Sequence, residues 1–205
     1  MPENIEIQIL NRIKKAGRGV LFFNESFMAY GNSDAVRKAL ERLVKAGGLE
    51  RISSGIYVRP KTDSVVGKLT PGIADIAKAI ARRDRARIVP TGVYALNRLG
   101  LSTQVPLNVV YLTDGAARKI KVGNRTITFR KTTPKNIAAV GEISRLAIQA
   151  LRTLGKNKIT EAEINQIQQI LKKEKITKLE HDIRLAPAWI REIIRPILRE
   201  AGPYR

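Results

Sequence analysis

Apolar residues fall at helical spacing in the first quarter of the chain. Val36, Leu40, Leu43 and Val44 recur at i, i+4, i+7 and i+8, one stripe at the period of an α-helix. Asn32 and Ser33 precede the stripe, and either side-chain oxygen suits the free N–H groups of a first turn. Asp34 adds negative charge at the positive end of the helix dipole. Lys45 lies in the last turn and Gly47-Gly48 supply the left-handed stop. Two short apolar runs follow, 49–52 and 56–58, separated by Ser53-Ser54-Gly55, which predicts a β-hairpin. Upstream, Ile5, Ile9, Ile13 and Leu10 predict another amphipathic helix. Gly17-Arg18-Gly19 breaks it, 20–23 reads as a strand, and 25–30 reads as a short helix whose Phe27 and Met28 pack beneath the second long helix.

The order helix, strand, helix, helix, hairpin is that of a winged helix-turn-helix. In that reading the exposed side of the second long helix carries Ser33, Arg37, Lys38 and Arg42 toward duplex DNA. The hairpin is the wing, with Arg51, Ser53, Ser54 and Arg59 suited to phosphate or minor-groove contacts. A helix face holding Arg37, Lys38, Glu41 and Arg42 also fits a merely solvated surface of mixed charge.

Beyond residue 60 the pattern changes. Residues 61–71 have proline at the far end and no clear period, and are expected as a linker between a domain over 1–60 and one over 72–205. Ile73, Ile76, Ala77 and Ile80 predict a helix, 87–89 an extended stretch, 91–99 a short helix and LNVVYL at 107–112 a buried strand. Residues 117–122 and 125–131 alternate polar and apolar around Gly123-Asn124, a hairpin with one wet, basic face. Helices follow over 143–154 and 162–171, the latter with Thr160 and Glu163 spaced for a capping box. A last helix over 189–200 is expected to bend or break at Pro196. The fold class is α+β: an N-terminal winged helix-turn-helix and a C-terminal mixed domain with a small β-sheet and several helices.

Charge sharpens the reading. The 205 residues carry a formal charge of +20, and such a surface attracts polyanions through counterion release. The strongest excess lies in 61–135, with 15 Lys and Arg against 4 Asp and Glu. Arg82, Arg83, Arg85, Arg87 and Arg98 lead that block, followed by Arg118, Lys119, Lys121, Arg125, Arg130 and Lys131. These residues fit either nucleic-acid contact by the second domain or the basic edges that keep sheets from aggregating.

The chemistry of catalysis is thin. There is no cysteine, so no disulfide framework or thiolate site is expected. The lone His181, between Glu180 and Asp182, reads as a surface residue. Asp75, Asp84 and Asp114 are scattered, and Thr113-Asp114-Gly115 reads as a turn. No enzyme, metal or cofactor is expected. No apolar run approaches the roughly 20 residues of a membrane helix, and the polar start is unlike a secretion signal, so the expected location is cytoplasmic.

The blocks SDAVRKALERLVKAGGLERISSGIYVRP, VPTGVYALNRLGLSTQVPLNVVYLTDG and RKIKVGNRTITFRK together resemble the AbiEi-like antitoxins of type IV toxin–antitoxin systems, over about residues 5–175. The resemblance implies a winged helix that binds operator repeats in double-stranded DNA and represses its own operon. It also implies a second domain that counteracts a nucleotidyltransferase-like toxin. Its second-domain motif falls on Tyr94, Asn97, Leu99, Gly100, Leu101, Ser102, Thr103, Gln104 and Pro106, of which Tyr94, Asn97, Ser102, Thr103 and Gln104 are the polar candidates. The expected partners are DNA, a cognate toxin, and a second copy of the chain or a cooperative array on DNA repeats. The alternative is an interaction module whose basic second domain binds an acidic protein or a structured RNA.

Overall fold

The computed structural model describes residues 4–201. Helices dominate, with three small sheets, and the fold is α+β. The chain divides into two compact units. One runs to Ile80 and includes Lys121–Gly123; the other holds Ala81–Ile120 and the chain from Asn124 onward. No described helix is long and apolar enough to cross a membrane.

The first unit begins with α1 (Ile5–Lys15), capped by Asn4, whose side chain accepts the Glu6 N–H. Strand β1 (Leu21–Phe23) leads into a 3₁₀ turn, Asn24–Phe27. That turn is shorter than the helix expected over 25–30. Phe27 is fully buried, whereas Met28 points into solvent, so only the phenylalanine supports the long helix above it. Helix α2 (Ser33–Lys45) starts on Asn32, whose Oδ1 accepts the Ala35 N–H at 2.9 Å. Its stripe of Val36, Ala39, Leu40 and Leu43 is buried with Ile9, Ile13, Phe22, Phe27, Leu49 and Tyr57. Gly47, at φ +75°, ends the run as only glycine does without strain. Strands β2 (Glu50–Ser53) and β3 (Ile56–Val58) then form a hairpin, and β3 lies between β1 and β2, antiparallel to both.

Leu40 sits at the centre of this core with no exposed surface. Leu40→Ala leaves a cavity among side chains that close-pack around it. The expected cost is about 2–5 kcal/mol, read as a lower urea midpoint at unchanged slope.

Residues 61–71 are not the featureless linker expected from their composition. Strands β4 (Lys61–Asp63) and β5 (Gly67–Leu69) pair antiparallel as a two-stranded hairpin. The Asp63 Oδ1 accepts the N–H groups of Val65 and Val66 at 2.8 and 3.0 Å, an acidic side chain closing the turn it stands on. Helix α3 (Ile73–Arg83) follows, with Ile73, Ile76, Ala77 and Ile80 buried.

A four-stranded sheet follows, of β6 (Ile88–Thr91), β7 (Asn108–Thr113), β8 (Arg118–Val122) and β9 (Arg125–Lys131), in the order β6-β7-β9-β8. Helix α4 (Val93–Arg98) connects β6 to β7. The β8–β9 hairpin inserts so that β9, not β8, pairs with β7, and that pair runs parallel with Tyr111 opposite Phe129. Helices α5 (Glu142–Leu154), α6 (Glu161–Leu171), α7 (Ile176–Ile183) and α8 (Ala188–Glu200) share a second core that includes Leu151, Leu171, Leu179, Ile190 and Ile194. Thr160 and Glu163 form the expected capping box on α6. Helix α8 runs unbroken through Pro196, contrary to the expected interruption. Its buried stripe of Ile190, Ile194 and Ile197 faces away from the exposed proline, so the bond that proline deletes lies on the wet side.

Candidate nucleic-acid interface

The buried stripe of α2 fixes which side of the helix meets solvent. Ser33, Asp34, Arg37, Lys38, Glu41, Arg42 and Lys45 are all exposed. Arg37 lies along the helix between two carboxylates, its guanidinium 3.4 Å from Asp34 and 3.3 Å from Glu41. Both pairs are solvent-exposed, of the kind worth only a few tenths of a kcal/mol, so a phosphate displaces them at little cost. Arg42 differs. Its Nε donates to Glu6 of α1 at 2.6 Å, which turns it toward the neighbouring helix and makes it a brace between the two.

The hairpin follows α2 in the chain. Arg51 stands opposite Tyr57 on β3. Burial pushes the Tyr57 hydroxyl above its ordinary pKa, with Arg51 and Arg37 pulling it down and Glu41 pushing it up. Arg51 itself is exposed. A bulge between Arg51 and Ser53 and the φ of +68° at Gly55 shape the hairpin end, where Ser54 is exposed and Ser53 half-buried.

Arg59 is half-buried and reaches back to α1. Its guanidinium donates to the carbonyls of Ile13, Lys14 and Ala16 at 3.5, 2.9 and 2.7 Å. Those carbonyls lie at the C-terminal end of α1, where the helix leaves them without partners and a cation is favoured. Arg59, expected at the wing, caps α1 through its Nη1.

One basic surface had no signal in a linear reading. Gln8, Asn11, Arg12 and Lys15 of α1, with Tyr30, line an open groove of about 630 Å³. The Arg12 guanidinium sits over the Phe27 ring, 5.6 Å from its centre. The i, i+3, i+4, i+7 spacing of these four positions marks one face, but polar residues at that spacing look the same on any solvated helix.

Among the candidates between residues 94 and 130 the structure separates two sets. Tyr94 is buried edge-on against Tyr111, which stacks on Phe129. Asn97 donates to the Ser102 carbonyl at 3.1 Å, and the Ser102 hydroxyl accepts the Gln104 N–H. Around Gly100, at φ +72°, these bonds hold the turn between α4 and β7. Arg118 pairs with Asp84 and lies over Phe129, while Arg125 donates to the Pro106 carbonyl at 3.3 Å. Tyr94, Asn97, Ser102, Arg118 and Arg125 thus have internal partners. Thr103, Gln104, Lys119, Lys121 and Arg130 are exposed. Asp114 bonds across to Arg87, whose guanidinium holds the carboxyl below its usual pKa.

A buried carboxylate that the sequence did not reveal organises the start of α5. Asp182 has no exposed surface. It accepts the N–H groups of Val140 and Gly141, both at 2.8 Å, the Ser144 hydroxyl, and a hydrogen bond with His181 Nδ1 at 2.8 Å. Burial pushes its pKa up, but the bonds from Ser144, His181 and the two amides outweigh it, and the carboxyl titrates below the ordinary range. Ser, His and Asp meet here without forming a nucleophile: the serine hydroxyl is bonded to the carboxylate, not to the imidazole, and lies buried.

Residues 8–179 match a family of unknown function, DUF6088. The chain belongs to that family. The match spans both units of this DUF6088 protein, takes in the α2–hairpin face and ends inside α7. Among curated proteins none matches. The crystal structure of the RV2827C protein from Mycobacterium tuberculosis is similar, with a TM-score of 0.47 and 10% identity over 93% of this chain and 80% of that one.

Proposed function

We propose that this DUF6088 protein binds double-stranded DNA through α2 and the β2–β3 hairpin and regulates transcription, as the AbiEi-like antitoxins it resembles do. In this reading residues 5–58 are a winged helix, α2 enters the major groove and the hairpin follows the backbone. The carrying observation is the exposed face of α2 with Arg37 and Lys38, opposite a buried apolar stripe and followed by a hairpin that exposes Arg51. The chain's charge of +20 supports it. Arg42 pairs with Glu6 and Arg59 with the end of α1, which ties α2 and the hairpin to α1.

The antitoxin role assigns the second unit a protein partner, a nucleotidyltransferase-like toxin. Val105 and Leu107, 66% and 64% exposed beside Thr103 and Gln104, support an apolar contact there, as they would for the alternative of a protein-interaction module.

Titration of the full chain against the duplex upstream of its own gene tests the DNA reading. The expected dissociation constant is about 10 nM at moderate salt. Affinity should fall with a log–log salt slope of about −0.9 for each phosphate contacted. Scrambled duplex of equal length should bind at least about a thousandfold more weakly. Equal affinity for both duplexes would leave only a general attraction to polyanions and would defeat sequence-specific regulation.

A further inference from the structure

The β4–β5 hairpin stands by itself. It forms its own two-stranded sheet, and hairpins this short are marginal alone in water. Its turn is nevertheless well built, with two N–H groups bonded to Asp63 and Gly67 at φ +79°. Those bonds hold the Asp63 carboxyl below its ordinary pKa. What the turn holds outward is apolar: Val65 is 90% exposed and Val66 74%, with Leu69 beside the strands at 37%. Open strand edges ending in an apolar tip are a combination that isolated soluble chains avoid, because it recruits further strands.

The two edges of the hairpin differ in what they accept. Suppose β4 pairs antiparallel with β4 of a second copy, centred on Thr62. Lys61 then stands opposite the partner's Asp63, and two-fold symmetry repeats the pair. Opposite charges directly across two strands favour the pairing. The same register sets Ser64 opposite the partner's Pro60, so each valine tip is laid over the base of the other hairpin. A pairing through β5, centred on Lys68, sets that lysine against the partner's Lys68 and is repelled.

We propose that two copies of the chain associate through β4, joining their hairpins into one four-stranded antiparallel sheet. The association needs no DNA and stands whether or not the winged-helix reading does. It also gives that reading a second α2, as recognition of a two-fold site requires. Strands of three residues bury little surface, so the expected dissociation constant is on the order of 100 µM.

Sedimentation of the full chain without DNA, over a range of concentrations, tests the proposal. Lys61→Asp and Asp63→Lys each place like charges across both symmetric pairs, and each should weaken the dimer by at least about tenfold. An equal mixture of the two variants restores both ion pairs and should recover association to within about threefold of the natural chain. Asp63→Lys also removes the turn's acceptor, so Thr62→Glu provides an independent check. It faces Lys68 within its own hairpin, which keeps the hairpin intact, but meets itself across the two-fold axis and should also yield monomer. A natural chain that stays monomeric at millimolar concentration overturns the proposal. So does a dimer unmoved by Lys61→Asp and Thr62→Glu.

Discussion

Alanine at both Arg37 and Lys38 lowers affinity for the upstream duplex by about 100-fold or more while leaving the fold unchanged. Each side chain is exposed and outside the core, so the helix does not depend on it. Contacts from such side chains to base edges are worth about 1–3 kcal/mol each. The variant should keep the thermal unfolding of the natural protein, measured beside the titration. Arg42→Ala also breaks the pair with Glu6 that joins α2 to α1, a partly exposed contact whose loss should lower stability by at most about 1 kcal/mol. The carboxylates on either side of Arg37 give the opposite sign. Asp34→Asn with Glu41→Gln frees the guanidinium and removes two negative charges from the exposed side of α2, so affinity should rise and the salt slope should steepen. Unchanged binding in the Arg37, Lys38 variant would remove α2 as the reading surface.

Asp182→Ala destabilises the second unit by about 3–5 kcal/mol, in the range reached when a buried charged network is broken. The substitution strands the N–H groups of Val140 and Gly141 and the Ser144 hydroxyl, all three satisfied by this carboxylate. Gly141 has no room to adjust, since even a Cβ there would run into Ser144 and Glu174. Asp182→Asn keeps one acceptor but turns an NH₂ toward donors, and should fall between, at about 2–3 kcal/mol. The folded carboxyl titrates below its unfolded value. Its contribution is therefore complete above the unfolded pKa of about 3.9 and fades as the pH falls through the lower folded value. Urea unfolding followed by circular dichroism at neutral pH and again in acid should show the difference between natural chain and Asp182→Asn shrinking. A constant difference across that range would mean the carboxylate's charge is not what holds α5.

Elements with a strong local period were legible in the linear chain. The α2 stripe, its Asn32 cap and its Gly47 stop act within a few residues of one another, and so does the Thr160–Glu163 capping box. The alternation that marks β8 and β9 is equally local. Helix α7 was not legible, because Ile176, Leu179 and Ile183 are its whole apolar signal among charged neighbours and its N-terminus has no capping side chain. The hairpin at 61–69 was hidden for a related reason. Its turn depends on a single aspartate bonding two amides, and its strands show no buried alternation.

Residue type alone was a poor guide to which cations face solvent. Arg37 and Arg59 are both arginines near a hairpin or helix end, yet one is exposed between two replaceable carboxylates and the other caps α1 some 43 residues away in sequence. Tyr94, Arg118 and Arg125 lie in the motifs that carry the family resemblance, and packing turned each of them inward. Period, caps and charge balance, all short-range properties, were determined by the sequence: the main helices, the hairpins around Gly55 and Gly123, the α+β class and the net charge of +20. The parallel pairing of β7 with β9, the buried anchor at Asp182 and the division of arginines between surface and interior were decided only by tertiary structure. Each depends on groups far apart in the chain meeting at hydrogen-bond distance, and no local pattern encodes that meeting.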